Sequence, residues 1–296
     1  MFRGPFRLIW IVLCAVMLGT QARPGPLEDG LAAYGLGDYD TAVRALRPLA
    51  LRGNPSAENS MGAMYESGQG VASDLRMAAY WYRRSARHGS AQAQNSLGAM
   101  YIAGRGVKRN PQVGLRWFRL AAAQGFALAQ YNLGVAYEEA WGVRRDYSKA
   151  AKWFRLAADK GLEPAEHNLA VMYTFGRGVP VDHDRALELY LRAATGGYAP
   201  SQNNLGLMYL HGLAVASDFI QAHMWFSLSA EQGNEEAIEN MDMVELFMTP
   251  DEIAEARERA LLHKRKGRDA PNFRERRDKE DETIAFIVSE RLGKRG

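Results

Sequence analysis

The sequence predicts an all-α protein built from stacked helical pairs, because one residue pattern recurs every 36 positions. Glycine holds one place in most copies, tyrosine follows three residues later, and tryptophan recurs further along. The glycines are Gly62, Gly98, Gly134 and Gly206, with Ala170 in the remaining copy; the tyrosines are Tyr65, Tyr101, Tyr137, Tyr173 and Tyr209; the tryptophans are Trp81, Trp117, Trp153 and Trp225, with Leu189 replacing one. A period of this length indicates repeated units that bury their apolar faces only by stacking.

The first residues are typical of an export signal. Arg3 and Arg7 are followed by an apolar run from Leu8 to Gly19 and by small residues that end at Ala22. We therefore expect residues 1–22 to be a signal peptide, with an uncleaved inner-membrane anchor as the alternative. The single cysteine, Cys14, lies inside this segment, so a cleaved chain would contain no disulfide.

Residues 23–55 are predicted to form an N-terminal helical pair that caps the repeats. The sequence from Asp38 to Ala42 and the later Gly53 keep the register of the repeats, one step earlier. The pair expected between Gly30 and Asn54 is shorter than a full copy.

One copy, residues 127–162, shows how each repeat is built. Ala129, Leu133, Ala136 and Tyr137 fall on one stripe of a helix rather than alternating as in a strand. Gly134 lies inside this helix, where glycine costs about 1 kcal/mol relative to alanine. The glycine is therefore expected to allow a neighbouring helix to approach closely.

A glycine loop and a second helix complete each copy. Loop glycines such as Gly104 and Gly106 permit the left-handed conformations that end a helix. The predicted N-caps of the second helices are Asp74, Asn110, Asp146, Asp182 and Asp218, and the glycines expected to close them are Gly89, Gly125, Gly161, Gly197 and Gly233.

Five copies occupy residues 56–234, and residues 235–262 are predicted to be a half repeat with a capping helix. Thr249 and Glu252 form a capping box at the start of that last helix. Residues 263–296 carry 11 basic and 7 acidic side chains and are predicted to be a disordered tail.

The repeated residues resemble a known family. Asn-Leu-Gly-x-x-Tyr at 132–137 and 204–209, followed by Gly-x-Gly-Val and Trp-Phe-x-x-Ala-Ala motifs, is similar to the Sel-one-like repeat, a bacterial relative of the tetratricopeptide repeat. The resemblance covers about residues 30–262. It implies a right-handed α-solenoid of five to six repeats, like a tetratricopeptide superhelix, whose first helices line a concave surface. It also implies an adaptor, an assembly scaffold or a periplasmic regulator.

Two sets of residues are candidate binding positions. In tetratricopeptide relatives, amides just before the Leu-Gly pair commonly face the groove and bond to a bound peptide, which suits their donor and acceptor groups. The predicted partner-binding residues are Asn59, Asn95, Tyr131, His167 and Asn203, with Asn132, Asn168 and Asn204 beside them. An equally weighted alternative is that these amides satisfy polar groups between repeats.

Basic side chains on the glycine loops form the second candidate set. They are Arg105, Lys108, Arg109, Arg144, Arg145 and Arg177, and they would suit an acidic partner or an anionic envelope polymer. The alternative is ordinary solvated loop charge.

The sequence contains no recognised catalytic or metal-binding motif. It has no Ser-x-x-Lys, no Gly-x-Ser-x-Gly and no His-Glu-x-x-His, and His211 with His223 would supply only two ligands to a metal. A net charge of +3 is too small to indicate nucleic acid as a partner. We therefore predict a periplasmic or secreted, non-catalytic, cofactor-free scaffold that binds another protein or peptide in its groove. The alternative is an envelope enzyme or glycan-binding member of the family, although a β-lactamase-type activity is disfavoured.

Overall fold

Fourteen α-helices and no β-strand make up residues 25–268, the part of the chain that the computed structural model describes. The predicted all-α fold is confirmed. The expected signal segment with Cys14, and residues 269–296 of the expected tail, lie outside the described residues.

The chain divides into two compact units, and the first unit ends at His88. Its helices are α1 (Pro26–Gly35), α2 (Tyr39–Leu51), α3 (Pro55–Ser67) and α4 (Leu75–Arg87). Each helix packs on the next, and Leu46, Met61, Met64 and Trp81 are buried in their core. Helices α1 and α2 lie in the region for which the sequence predicted an N-terminal helical pair, and α1 begins at Pro26.

The second unit begins at Gly89 and contains the remaining described helices. They are α5 (Ala91–Ala103), α6 (Pro111–Ala123), α7 (Ala127–Glu138), α8 (Tyr147–Ala158), α9 (Glu163–Phe175), α10 (His183–Thr195), α11 (Ala199–His211), α12 (Phe219–Ala230), α13 (Glu235–Glu245) and α14 (Pro250–Arg268). From α5 to α13, each helix packs against the next along the chain, as expected for repeats that contact only their neighbours.

The predicted N-caps hold the starts of the second helices. Asp146 accepts a hydrogen bond from the Lys149 backbone N–H at 2.9 Å, and Asp182 accepts one from Arg185 N–H at 3.0 Å. Asp74, Asn110 and Asp218 make the equivalent bonds. These side chains satisfy donors that the first helical turn leaves without partners.

Helix glycines allow the second helix of a repeat to approach the first, as predicted. A Cβ atom built on Gly134 would lie 2.5 Å from Cδ1 and Cε1 of Phe154, and one built on Gly206 would lie 2.5 Å from Phe226. Both phenylalanine rings are fully buried. The glycine therefore provides the space that the aromatic ring of α8 or α12 fills.

Two alanines occupy loop positions that are glycine in other copies. Ala140 has φ 60° and Ala214 has φ 61°, so both adopt the left-handed conformation of the glycines that they replace. The loop geometry is therefore kept, at a backbone cost of about 1–2 kcal/mol for each alanine.

The last two helices close the second unit. The capping box forms as predicted, because Glu252 accepts from the Thr249 N–H at 2.7 Å and its own N–H donates to Thr249 Oγ1 at 3.3 Å. Helix α14 packs on α12 and continues to Arg268. The prediction of a disordered tail from His263 is thus wrong for residues 263–268: the His263 ring packs on Trp225 at 4.9 Å, and the helix continues past it.

Candidate functional site

The first helices of the second unit present a row of partly exposed side chains, which we call the open face. On α9, α11 and α13 its members are Asn168, Val171 and Phe175, then Asn204, Leu207 and His211, then Asn240 and Met243. Within each helix these residues are spaced three or four positions apart, so they share one side of it. Phe175 is 63% exposed and Met243 is 49% exposed, which makes the row apolar as well as polar.

Two of the predicted binding amides are bonded to amides of the following repeat. Asn132 Nδ2 donates to Asn95 Oδ1 at 2.8 Å, and Asn240 Nδ2 donates to Asn203 Oδ1 at 3.0 Å. Asn95, Asn132 and Asn203 are at most 6% exposed. For these three residues the structure has the inter-repeat bonding that was the alternative to partner contact.

The row of amide pairs is interrupted in the middle of the second unit. The place that holds Asn95 in one repeat is Tyr131 in the next, and the Tyr131 ring packs against Phe154 at 5.6 Å. Asn168 consequently meets no amide acceptor there, and its Nδ2 is buried without a hydrogen-bond partner among the described residues. Such an unsatisfied donor is uncommon in folded proteins.

The following repeat also lacks the amide pair. His167 stands where the acceptor would be, and its Nδ1 lies 3.0 Å from Ser201 Oγ. Asn204 Nδ2 instead donates to the hydroxyl of Tyr190 at 3.1 Å. In the first unit, Asn59 Oδ1 is likewise buried without a partner among the residues described. Partner contact by these positions stays a prediction.

The predicted basic residues lie on the glycine loops and are mostly exposed. Arg109 Nε donates to the Ile102 carbonyl at 3.0 Å, which fixes its own loop. Arg145 lies over the Tyr147 ring and Arg177 over the Phe175 ring, at 5.9 and 5.5 Å. Arg105, Lys108 and Arg144 complete the set, and binding of an acidic partner by these residues stays a prediction.

Sequence reasoning missed a buried carboxylate that recurs in two repeats. Glu58 is fully buried in the first unit, and its carboxylate lies 2.9 Å from Arg84 Nε and 2.8 Å from His88 Nδ1. Glu166 is 3% exposed in the second unit and pairs with Arg192 Nη2 at 2.5 Å. Burial raises the pKa of Glu166 despite the opposing charge of Arg192.

Sequence reasoning also missed a serine–histidine–glutamate group near the end of the second unit. His223 is fully buried, with Nε2 2.7 Å from Glu245 Oε1 and Nδ1 3.2 Å from Ser227 Oγ. Glu245 also accepts from Arg257 Nη2 at 3.0 Å, so one carboxylate joins α12, α13 and α14. The hydrogen bond from His223 lowers the pKa of Glu245, and Arg257 lowers it further. The contacts indicate a structural clamp.

The described residues contain no group of three or more His, Cys, Asp or Glu side chains placed to hold a metal ion. His223 of the candidate metal pair is instead bonded to Glu245, as described above. No helix within residues 25–268 combines the length and the apolar character that crossing a bilayer requires.

Comparison with known families decides what kind of protein this is. The Sel1 repeat model matches residues 55–90, 91–126, 127–162, 164–198 and 199–234, which together make up more than half of the chain. The chain belongs to the Sel1 repeat family. The Sel1 repeat protein is thus an all-α repeat solenoid, as the 36-residue period predicted.

Two solved Sel1-type structures are similar to it. A Sel1 repeat protein from Oxalobacter formigenes is 31% identical, with a TM-score of 0.69, and the match covers 74% of this chain and 87% of that one. The protective antigen c5321 of uropathogenic Escherichia coli strains, which has an SLR fold, is 35% identical with a TM-score of 0.70 over 82% of this chain. The match spans 53% of that antigen. No curated protein matches the sequence.

Sel1 repeat proteins typically mediate protein–protein interaction, and their helical scaffold is generally non-catalytic. Family membership therefore supports the general class that the sequence predicted.

Proposed function

We propose that this Sel1 repeat protein is an exported, non-catalytic scaffold or adaptor that holds a segment of a partner protein against the open face. The proposal rests on one observation, which concerns the middle of the open face. There the unsatisfied donor of Asn168 lies on the same helix as Val171 and the 63% exposed Phe175. An extended segment offers backbone carbonyls to the amide and side chains to the apolar residues.

Apolar exposure favours the same surface. Met243 is 49% exposed on α13, and Leu246 and Phe247 just beyond it are 81% and 67% exposed. Exposed apolar side chains that lie close together often mark interaction sites. The partner would bury them, and a new hydrogen bond to the Asn168 amide would contribute about 0.5–1.5 kcal/mol.

Site-specific photo-crosslinking tests the proposal. The aromatic crosslinker p-benzoylphenylalanine replaces Phe175 or Met243 on the open face, and Leu156, 45% exposed on α8, serves as the matched control. After irradiation in cells, we expect the same adduct at positions 175 and 243 and none at 156. Adducts only at 156, or equal labelling at all three positions, would contradict the proposal.

The export part of the proposal rests on the N-terminal sequence. Arg3 and Arg7 precede the apolar run, and a cleaved chain would begin at Arg23 in the periplasm or outside the cell. N-terminal sequencing of protein from the periplasmic fraction tests it. An intact Met1 in the membrane fraction would support the inner-membrane anchor instead.

A further inference from the structure

One position of each repeat holds a buried polar side chain. The position is Glu58, Gln94, Gln130, Glu166 and Gln202 in the five repeats. The residue 26 positions later is arginine after either glutamate and leucine after each glutamine, and the residue 30 positions later is His88, Gln124, Lys160, Gly196 and Gln232. The first of these later positions supplies the partners Arg84 and Arg192, and the second supplies His88, Gln124 and Gln232.

In three repeats the side chain 30 positions later contacts the buried group. In the first unit His88 Nδ1 lies 2.8 Å from Glu58 Oε2, and Arg84 Nε lies 2.9 Å from Glu58 Oε1. In the second unit Gln124 Nε2 donates to Gln94 Oε1 at 2.8 Å, and Gln232 does the same to Gln202 at 2.8 Å. Lys160 differs, because its ammonium turns to the carbonyl of Gly125.

The repeat of Glu166 has glycine in that place. Gly196 supplies no side chain, and a cavity of 470 Å³ opens there, lined by Glu163, Glu166, Arg192 and Gly196 among others. A water molecule takes up about 30 Å³, so the cavity holds far more than one water. The geometry is that of the Glu58 group with its histidine removed.

The carboxylate that lines this cavity is incompletely paired. Glu166 is 3% exposed, Arg192 Nη2 contacts its Oε1, and no donor of the described residues contacts Oε2. Glu163, Glu166 and Arg192 are the charged residues that line the cavity. A cation that enters the cavity would make a charge-assisted hydrogen bond to this carboxylate.

We propose that this cavity binds the guanidinium or ammonium group of a basic side chain, which takes the place that His88 fills in the first unit. The inference deepens the proposed function, on which it rests for the source of that side chain, by naming one residue type that the partner presents. A basic side chain enters between the end of α10 and the start of α9 and donates to Glu166 Oε2.

Amide chemical shifts of the full protein, followed by NMR, test this with small probes. The probes are Nα-acetyl-arginine amide, Nα-acetyl-lysine amide and the neutral Nα-acetyl-glutamine amide. We expect saturable shifts around Glu166 and Gly196 with the cationic probes, and at least about tenfold weaker binding of the neutral one, because its hydrogen bond to the carboxylate has no charge assistance. Free arginine, as a further probe, distinguishes a protein side chain from a free metabolite as the ligand. If the ligand is a side chain, Nα-acetyl-arginine amide should bind at least as tightly as free arginine.

Variants taken from other repeats of the same chain make the test specific. Gly196→His should fill the cavity and abolish binding. A Cβ there would lie 3.0 Å from Glu163 Cγ, 3.2 Å from Glu163 Oε1 and 3.3 Å from the Ala193 carbonyl oxygen, so the Glu163 side chain must shift slightly. The double change Glu166→Gln with Arg192→Leu copies the glutamine repeats and should also abolish binding while the melting temperature is retained. Conversely, His88→Gly should create a second cation site beside Glu58.

Several results would overturn the proposal. Absence of saturable shifts in the wild-type protein is one, and equal shifts in wild type and Gly196→His is another. Binding of the small cations does not involve Phe175, so Phe175→Ala should leave it unchanged. If crosslinking at position 175 fails but the small cations still bind, the docking surface is refuted and the cation site stands. If crosslinking succeeds but the small cations do not bind, the cation site is refuted and the docking surface stands.

Discussion

Gly134→Ala is the substitution that most sharply probes how the repeats pack. The new Cβ would lie 2.5 Å from Cδ1 and Cε1 of Phe154 and 3.1 Å from its Cγ. The Phe154 ring is fully buried and packs on Tyr131, so it has no free space into which to move. Overpacking of this kind costs about 1–3 kcal/mol. Alanine recovers about 1 kcal/mol of helix propensity.

We therefore expect the free energy of unfolding to fall by up to about 2 kcal/mol. For a chain of this size, each kcal/mol lowers the melting temperature by roughly 2–4 °C. Thermal and urea unfolding followed by far-ultraviolet circular dichroism measure it. Gly35→Ala is the matched control, because a Cβ on that glycine meets nothing within 4 Å. The control should be neutral or slightly stabilising.

A smaller ring opposite the new methyl group provides the compensating test. Phe154→Leu alone removes buried contacts and should destabilise the protein. The double variant Gly134→Ala with Phe154→Leu should lose less stability than the two single variants together, because the alanine methyl group fills part of the space that the smaller side chain leaves. A Gly134→Ala protein at least as stable as wild type would refute the packing explanation of the 36-residue glycine period.

Three further predictions concern single groups. Ala140→Gly should stabilise the protein by up to about 1 kcal/mol in urea unfolding, because alanine at φ 60° is strained and glycine is not. Arg192→Leu should destabilise the protein more at pH 7 than at pH 4, because the raised pKa of Glu166 leaves less charge unpaired in acid. The lowered pKa of Glu245 contributes stability above the carboxyl's ordinary value of 4.5, and this contribution is lost as pH falls through the folded-state pKa; Glu245→Gln should flatten the acid side of a melting-temperature profile.

Much of the fold could be read from the sequence because its determinants are local. The N-cap of α8 is a single aspartate, Asp146, at the start of a helical stripe, and the glycine of α7 recurs at a fixed step. The helices therefore begin and end close to where capping and periodicity placed them. The extension of α14 past His263 was missed because its packing on Trp225 is a tertiary contact.

The candidate site was harder to predict because it depends on which side chains meet across repeats. Asn132 and Asn168 occupy the same place in successive copies, yet one is bonded and the other is not. The difference comes from the residue 37 positions earlier, asparagine in one case and tyrosine in the other. The pairing of Glu58 with Arg84, repeated as Glu166 with Arg192, was missed although both pairs have the same spacing in the sequence. The absence of a side chain at Gly196 can be interpreted only from the structure, which shows the cavity beside it.

The affinity of the captured partner for single-residue variants tests the central claim most directly. With the crosslinked partner purified, calorimetry would compare wild type with Phe175→Ala on the open face and Leu156→Ala on α8. We expect Phe175→Ala to weaken binding by about tenfold, since burying a phenylalanine contributes about 1.5–3 kcal/mol, and Leu156→Ala to leave it unchanged. Loss of affinity in Leu156→Ala, with Phe175→Ala unaffected, would contradict the account.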